Sequence, residues 1–517
     1  KVKVNGPDAD PLFKFLQEQK GFSGFDPAHK LTPVLDAGIV AGTSEGTFSP
    51  YDDVTKEQME LFIKRAYALF GTNEKDDFYA AVNKDTLSNL ELKPGRMMAG
   101  TLYDLQDKSM EEVNAIIEDA IKNGGEKGSK EQKIANFYKN ILDSESRNKE
   151  GVAPVKPYLA EIGSAKNIGE LADVQLKLIK DLCTVPFTAF SVTTDFKDNT
   201  KYIMYFGTAE PYLTKDFYFT GAESQKASYL KYLKTFLNLA GEKVTDSELE
   251  DFYNYEKALA SAKLNPEEAG NVDKIYNVYT FDEIQALFPG ADLNKVLDSL
   301  GLKKEDKILV TDEGLTKAFA KMFTDENLGT LKTAAKLCVL LNYAGALNTE
   351  FTDASDTFNQ EFLGITGAYS DEERAVISVA SIMPDYIGEL YAEKYFTEEA
   401  KQNVLKMVSD IVSVYKERIR KLDWMSPETK EKAINKLDKM GVKVGYPDKW
   451  NTCLDDAEIR SKEEGGSYFD NVLQIAKANM KHMVSLQGTT PDRTKWGMYP
   501  YTVNACYSAT ENDITFP

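Results

Sequence analysis

The spacing of apolar residues predicts a mostly helical chain between residue 76 and about residue 439. A repeat of about 3.6 residues places seven apolar side chains on one face of a long helix. They are Val404, Val408, Ile411, Val412, Tyr415, Ile419 and Leu422. Ser426 followed by Pro427 predicts the start of the next helix, because proline is tolerated at the first helical position.

Capping patterns mark further helix starts. A Ser or Thr followed three residues later by Glu or Gln occurs at Ser109, Ser129 and Thr245. In such a capping box the two side chains satisfy free amides of the first helical turn. We therefore predict helices that begin at these three residues. The first should end at Gly124, because glycine readily adopts the left-handed conformation of a helix end.

A few short segments have the character of strands. Residues 187–194 and 201–206 are rich in aromatic and β-branched side chains, and the Asp198-Asn199 turn between them predicts a hairpin. The pattern changes again after residue 439, where 442–444 and 501–516 are predicted strands. The fold predicted from the sequence is therefore mainly α, with a large multi-helix part and small β elements.

Size and charge narrow the possible functions. The chain has 517 residues, which is enough for several domains, and a formal net charge of −20. Such an acidic protein repels phosphate backbones and anionic lipids, so no nucleic-acid partner is predicted. The longest apolar run, near Leu337–Leu347, is too short to span a bilayer. No signal segment follows Lys1, and the four cysteines lack C-x-x-C spacing, which predicts free thiols.

The first 36 residues resemble a short internal segment of another enzyme family. The stretch VNGPDADPLFKFLQEQKGFSGFDPAHKLTPVLD is similar to part of the bacterial glutathione peroxidases. The reactive cysteine or selenocysteine of that family has no counterpart here. The resemblance therefore implies no peroxidase activity.

Residues 37–72 resemble half of a cell-wall-binding module. The stretch DAGIVAGTSEGTFSPYDDVTKEQMELFIKRAYALFG is similar to the second half of an S-layer homology module. The resemblance implies a cell-wall polymer as a partner, although Thr55-Lys56-Glu57-Gln58 stands where Thr-Arg-Ala-Glu is usual. A small helical spacer is the alternative interpretation.

Several phrases between residues 76 and 517 follow one another in an order that is typical of one family. They are DDFY with VN, GTLYDL, LDWM with TK and A, VGYPDKW, WGM, VNACY and NDITFP. In this order they resemble blocks of the neprilysin and endothelin-converting enzyme family of zinc metallopeptidases. The resemblance implies that residues 76–439 form a helical substrate-enclosing lobe. Residues 440–517 would then be the truncated start of a thermolysin-like α/β catalytic lobe.

The zinc-binding motif of that family is missing from the sequence. Its members carry H-E-x-x-H, in which two histidines on one helical face bind zinc and the glutamate activates water. The two histidines of this chain, His29 and His482, have no such neighbourhood. We therefore predict no catalytic and no metal-binding residue in this chain. Zinc is expected as the cofactor of the full-length protein, and none is expected to bind this chain.

One substrate-binding element of the family is present. In the family the N-A-x-Y strand lies along the cleft, so the resemblance implies that Asn504 binds substrate through its side-chain amide and Ala505 through its main chain. The alternative is an ordinary strand with Asn504 at a turn. Two arginines of animal members correspond to Met98 and Gln106, with Arg96 out of register. A preference for free carboxyl termini is therefore not implied.

Two hypotheses of different classes follow. The first is that the chain is part of a zinc-dependent metalloendopeptidase that cleaves small peptides in an enclosed cavity, and that is inactive on its own. The resemblance places such a protein in the bacterial cell envelope or outside the cell. The second is a non-catalytic, cell-wall-associated helical binding protein. A downstream H-E-x-x-H would favour the first hypothesis.

Overall fold

The computed structural model describes Lys75 and residues 77–517. The chain divides into two units, and the first unit ends at Leu92. In the described part of this unit, helix α1 spans Phe78–Ser88, and the side chain of Asp77 accepts a hydrogen bond from the amide of Ala80. The predictions of a peroxidase-like fragment at 1–36 and of an S-layer-like half module at 37–72 lie outside the described residues.

The second unit runs from Lys93 to Pro517 and is mainly helical, which confirms the predicted fold class. In chain order its helices are α2 Thr101–Asn123, α3 Lys130–Leu142, α4 Ser144–Glu150, α5 Lys156–Ser164, α6 Ile168–Leu182, α7 Lys215–Thr220, α8 Glu223–Leu239, α9 Asp246–Ala262, α10 Pro266–Ala269, α11 Val272–Ile275, α12 Phe281–Leu287, α13 Leu293–Leu300, α14 Glu313–Met322, α15 Leu328–Tyr343, α16 Thr349–Leu363, α17 Asp371–Ile382, α18 Pro384–Tyr395, α19 Glu398–Lys421, α20 Pro427–Asp438 and α21 Tyr468–Ser485. Short 3₁₀ turns at Asp325–Asn327 and Ala344–Ala346 flank α15.

Local caps fix several of these helix starts. The hydroxyl of Ser129 accepts the amide hydrogen of Gln132 at the start of α3. Thr245 and Glu248 form both halves of a capping box at the start of α9. Ser426 caps α20, which begins with proline. These predictions are confirmed because each depends only on neighbouring residues.

The predicted helix start at Ser109 is wrong. Ser109 lies inside α2, where 9% of its surface is exposed, and the helix begins eight residues earlier at Thr101. The early apolar residues Leu102 and Leu105 are exposed, so no buried stripe in the sequence marks the first two turns. The predicted end is correct, because Gly124 follows α2 with a φ of +73°.

The strands of the helical part form one small sheet. Strands β1 Thr188–Thr194, β2 Tyr202–Thr208, β3 Asn277–Tyr279 and β4 Ile308–Val310 lie in the order β1-β2-β4-β3. The β1–β2 pair is the predicted hairpin, and β4 runs parallel to β2. Phe190 and Phe206 are directly opposite each other in the hairpin, with ring centroids 5.0 Å apart. Both rings are buried and anchor this sheet in the hydrophobic core.

A second sheet contains the C-terminal strands. Strands β5 Gly441–Val444, β6 Cys506–Ser508 and β7 Asp513–Phe516 lie in the order β5-β7-β6. The β5 strand runs parallel to β7, and β6 runs antiparallel to it. The predicted strands within 501–516 are therefore confirmed as β6 and β7, whereas residues 501–505 and 509–512 are irregular. The Lys443 ammonium group lies 2.5 Å from the buried Asp513 carboxylate and ties β5 to β7.

Side-chain contacts cross the predicted boundary between residues 439 and 440. The Lys133 side chain of α3 is 4% exposed and donates to the carbonyl oxygens of Leu454 at 2.9 Å and Asp455 at 2.6 Å. In α18, a Cβ atom on Gly388 would lie 3.1 Å from both Trp450 and Pro500. The C-terminal segment therefore packs tightly on the helices.

The long amphipathic helix is present as α19, and part of its apolar surface is exposed. Val408 is buried, whereas Met407, Ile411 and Tyr415 are each more than half exposed. The helix packs on α20 and β5, and the remaining residues of the stripe are partly buried, namely Val404, Val412, Ile419 and Leu422. No helix among the described residues has the length and apolar character needed to cross a bilayer.

Candidate functional site

A cavity of about 810 Å³ opens between α2, α17 and the segment 499–501. Its wall is largely apolar and is formed by Met110, Val376, Ile377, Ala380 and Pro384. Carboxylates, the two amide side chains of Gln106 and Asn114, and three tyrosines also line it, namely Tyr369, Tyr499 and Tyr501. A mostly apolar cavity with a few polar groups is the usual form of a ligand site, so this cavity is the first candidate.

The α2 face that lines the cavity follows from helical spacing. Gln106, Met110 and Asn114 are four residues apart and therefore lie on one side of the helix. The Gln106 side chain makes two hydrogen bonds to the chain opposite. Its Nε2 donates to the Tyr501 carbonyl oxygen at 3.3 Å, and its Oε1 accepts from the Val503 amide at 3.0 Å.

Two cations at the cavity share one carboxylate. Lys93 Nζ lies 2.7 Å from Asp107 Oδ2, and the Arg96 guanidinium binds the other oxygen of Asp107. Arg96 also lies over the Tyr369 ring, 5.4 Å from its centroid. These contacts occupy Arg96, so it is not a free binding site for a substrate carboxylate.

The two positions that correspond to the arginines of animal members have separate surroundings. Gln106 lines the cavity. Met98 is exposed, and its sulfur accepts a hydrogen bond from the Tyr103 hydroxyl at 3.1 Å. The structure therefore does not bring the two positions together around this cavity.

Tyr499 and Tyr501 form one side of the cavity. Their rings are stacked with centroids 6.0 Å apart, and the Tyr501 hydroxyl donates to the Ala380 carbonyl oxygen at 2.7 Å. Burial raises the pKa of Tyr499 to about 12 and also raises the pKa of Tyr501. Both phenols are therefore neutral at physiological pH and can donate hydrogen bonds.

Asn504 and Ala505 follow the Gln106-bound segment directly and precede β6. Both residues are exposed. The Asn504 Oδ1 atom accepts a hydrogen bond from the Ala505 amide at 2.8 Å. Among the described residues the Asn504 NH₂ group and the Ala505 carbonyl group have no hydrogen-bond partner, whereas the Ala505 N–H is already used. Strand β6 lies at the edge of its sheet, so its outer side presents unpaired backbone groups.

The residues present do not fit a zinc ion. Within the described residues no group of three or more His, Cys, Asp or Glu side chains could hold a metal. His482 Nε2 lies 3.3 Å from the Lys495 ammonium group, and burial together with that charge lowers the pKa of His482. The four cysteines are free thiols, and His29 lies outside the described residues.

Comparison with known families decides the relationship. The sequence model of the N-terminal part of peptidase family M13 matches residues 74–447. The chain belongs to peptidase family M13. This assignment confirms the predicted neprilysin-type resemblance, and the matched residues make up most of the chain.

Characterised relatives and solved structures agree with this assignment. The neutral endopeptidase of Lactobacillus helveticus is 26% identical over 450 residues, which are 86% of this chain and 69% of the relative. That of Lactococcus lactis subsp. lactis is 25% identical over 455 residues, which are 86% of this chain and 71% of the relative. Both match the M13 chain over most of its length.

The zinc metalloprotease Zmp1 of Mycobacterium tuberculosis, solved with an inhibitor, has a TM-score of 0.78 and 26% identity. The alignment covers 86% of the M13 chain and 68% of Zmp1. PepO from Lactobacillus rhamnosis has a TM-score of 0.77 at 21% identity, covers 86% and 71%, and supports the fold alone. The mainly helical architecture is therefore shared with these two solved structures.

The sequence did not predict the double hydrogen bond of Gln106 or the presence of Tyr499 and Tyr501 at the cavity. In the sequence, Gln106 is distinguished only as a position where animal members have an arginine. Its partners are 395 and 397 residues away in the chain, so no local pattern could reveal the contact. The WGM and VNACY phrases flank Tyr499 and Tyr501 and were the available signal.

Proposed function

We propose that this chain forms the substrate-enclosing helical part of a zinc-dependent metalloendopeptidase and supplies its peptide-binding segment, residues 504–508. The observation that carries the proposal is the uncovered edge of β6, with Asn504 at its start, next to a segment that lines an 810 Å³ cavity. Membership of peptidase family M13 supports peptides as the substrate class.

Backbone pairing is the mode of binding that this edge allows. An extended peptide adds to a sheet edge by hydrogen bonds between main-chain groups, while side chains select the sequence. The free NH₂ group of Asn504 would donate to a peptide carbonyl, and the Ala505 carbonyl would accept a peptide N–H. A folded protein has few extended segments with free backbone groups, so small peptides are the proposed substrates of the enclosed cavity.

The proposal assigns the zinc to residues that this chain does not contain. The matched relatives are named neutral endopeptidases and a zinc metalloprotease. The sequence given has no H-E-x-x-H, and the described residues offer no alternative ligand set. We therefore propose that the chain by itself binds peptides without hydrolysing them. A location in the cell envelope or outside the cell is part of the same proposal.

Fluorescence anisotropy with a labelled, unstructured peptide of about ten residues tests the binding step. The purified chain should bind the peptide, and Asn504→Ala should weaken binding about fivefold, because one hydrogen bond is worth about 1 kcal/mol. The control is Asn254→Ala, an exposed residue of α9 whose side chain makes no hydrogen bond to any described residue. The same peptide with N-methylated backbone amides should bind poorly, because it cannot pair with a strand edge.

Two results would contradict the proposal. One is equal binding of the N-methylated and ordinary peptides, which would exclude backbone pairing. The other is complete insensitivity of binding to Asn504→Ala. Incubation of the peptide with the chain and added zinc, followed by mass spectrometry, should detect no cleavage, and clear turnover would refute the assignment of zinc to other residues.

A further inference from the structure

We propose that Gln106 is a positioning residue that fixes the peptide-binding segment from the opposite side of the cavity. This inference rests on the proposed function, because it concerns the geometry of Asn504. The amide of Gln106 binds one backbone group on each side of Thr502, namely the Tyr501 carbonyl and the Val503 amide. We refer to these two hydrogen bonds as the Gln106 clamp.

The clamp reproduces the bonding of a neighbouring strand. In a parallel pair, one residue bonds to the carbonyl before and the amide after the residue opposite. Gln106 makes these two bonds to the residues around Thr502, although residues 501–505 belong to no strand. A side chain from a helix thus takes the place of the missing strand next to the start of β6.

Both ends of the clamp are held. Gln106 lies in α2, whose neighbouring Ser109 and Val113 are buried in the packed interior. On the other side, the Tyr501 hydroxyl is bound to the Ala380 carbonyl oxygen. The segment is therefore fixed at Tyr501 by its own side chain and at Val503 by Gln106.

Fixing Val503 restricts Asn504 strongly. Adjacent Cα atoms are 3.8 Å apart across a trans peptide, and each residue has only two soft dihedral angles. Asn504 follows Val503 directly, and its own amide bonds back to the Thr502 carbonyl at 3.0 Å. Release of Val503 would let the Asn504 side chain sample orientations that cannot meet a bound peptide.

Only an amide side chain of this length can form the clamp. The site requires one donor and one acceptor on the same planar group, which glutamine provides. Glutamate offers acceptors alone, so it could hold the Val503 amide but not the Tyr501 carbonyl. Methionine has a similar length and neither group. These differences give a graded set of variants at one position.

The test combines amide hydrogen exchange at Val503, measured by NMR, with peptide affinity and melting temperature. Gln106→Met should speed exchange at Val503 about fivefold or more, because it removes a hydrogen bond worth about 1 kcal/mol. It should also weaken peptide binding severalfold while the chain stays folded. Gln106→Glu keeps the acceptor for the Val503 amide, so it should keep Val503 protected and weaken peptide binding less than Gln106→Met does. The matched control is Gln402→Met on the exposed side of α19.

Each outcome decides between the two proposals. Unchanged Val503 exchange in Gln106→Met overturns the clamp. Faster exchange with unchanged peptide affinity overturns the positioning role, provided that Asn504→Ala weakens binding. If the unmodified chain binds no peptide, the proposed function fails, and the positioning role of Gln106 fails with it. The rate of exchange at Val503 still shows in that case whether Gln106 holds the segment. If the Gln106→Met chain is unfolded, the Val503 amide of the unmodified chain decides instead, and unprotected exchange at that amide overturns the clamp.

Discussion

Replacement of Glu256 by glutamine should remove a large part of the pH dependence of stability. Glu256 lies in α9 and is 2% exposed. Its Oε1 accepts the Tyr212 amide hydrogen at 2.9 Å, and its Oε2 accepts the Tyr229 hydroxyl hydrogen at 2.7 Å. Burial raises the pKa of Glu256 from 4.5 to about 7, although these hydrogen bonds oppose the change.

The sign and size of the effect follow from linkage between folding and protonation. The folded state holds the proton of Glu256 more tightly than the unfolded state does. Ionisation of Glu256 therefore leaves the free energy of unfolding unchanged below pH 4.5 and lowers it by the full amount above about pH 7. The difference between the two pKa values corresponds to a loss of about 3 kcal/mol in the free energy of unfolding. Between pH 5 and pH 8 the free energy of unfolding should therefore fall by about 2.5 kcal/mol because of this group.

Urea unfolding of the unmodified chain and of Glu256→Gln at pH 5 and pH 8 measures this difference. The amide can keep the Tyr212 bond and donate to the Tyr229 oxygen, so the variant should fold. Other pH effects cancel when the two proteins are compared. The control is Asp251→Asn, an exposed carboxylate of the same helix.

The neighbouring phenols should not obscure the measurement. Burial raises the pKa of Tyr229 well above its usual range, and it raises the pKa of Tyr218 as well. Both therefore stay protonated up to pH 8. A stability difference between the two proteins that is the same at both pH values would refute the reasoning, because it would mean that Glu256 has the same pKa in both states.

Three further predictions concern other parts of the chain. Gly445→Ala should lower the free energy of unfolding by about 2 kcal/mol or more, because φ is +75° and the new Cβ would lie 2.5 Å from the Phe396 ring. Gly488→Ala is the control, because Gly488 has the same φ and open space around it. Its free energy of unfolding, measured by the same urea experiment, should fall only by the backbone strain. Lys133→Met should cost about 2 kcal/mol because it removes the two hydrogen bonds from the buried ammonium group to the carbonyl oxygens of Leu454 and Asp455, whereas the exposed Lys139→Met should be nearly neutral. Elemental analysis of the purified chain should find far less than one zinc per molecule, and a tightly held equimolar zinc would contradict the ligand argument.

The sequence predicted those parts of the fold that depend on neighbouring residues. The caps at Ser129, Thr245 and Ser426 involve contacts across three or four positions, so they can be recognised in the linear pattern. The start of α2 could not be recognised because its first turns carry exposed leucines. The predicted strand range 501–516 was too broad for a related reason, since β-rich composition does not show where a chain bends away from its sheet.

The candidate site was only partly predictable. The family resemblance pointed to Asn504 and Ala505, and the structure places them before an edge strand. The cavity depends on how α2, α17 and the segment 499–501 meet, which is a property of tertiary packing. Hydrogen bonds between residues almost four hundred positions apart leave no mark in a single sequence.

The exposed apolar residues of α19 affect the behaviour of the chain in solution. The net charge of −20 on the whole chain makes its molecules repel one another at low ionic strength. Salt shortens the range of this repulsion to about 10 Å at 0.1 M and about 3 Å at 1 M, whereas it does not weaken the attraction between apolar surfaces. The chain should therefore be dispersed in dilute buffer and should cluster reversibly as salt is added, with Met407, Ile411 and Tyr415 as the adhesive surface.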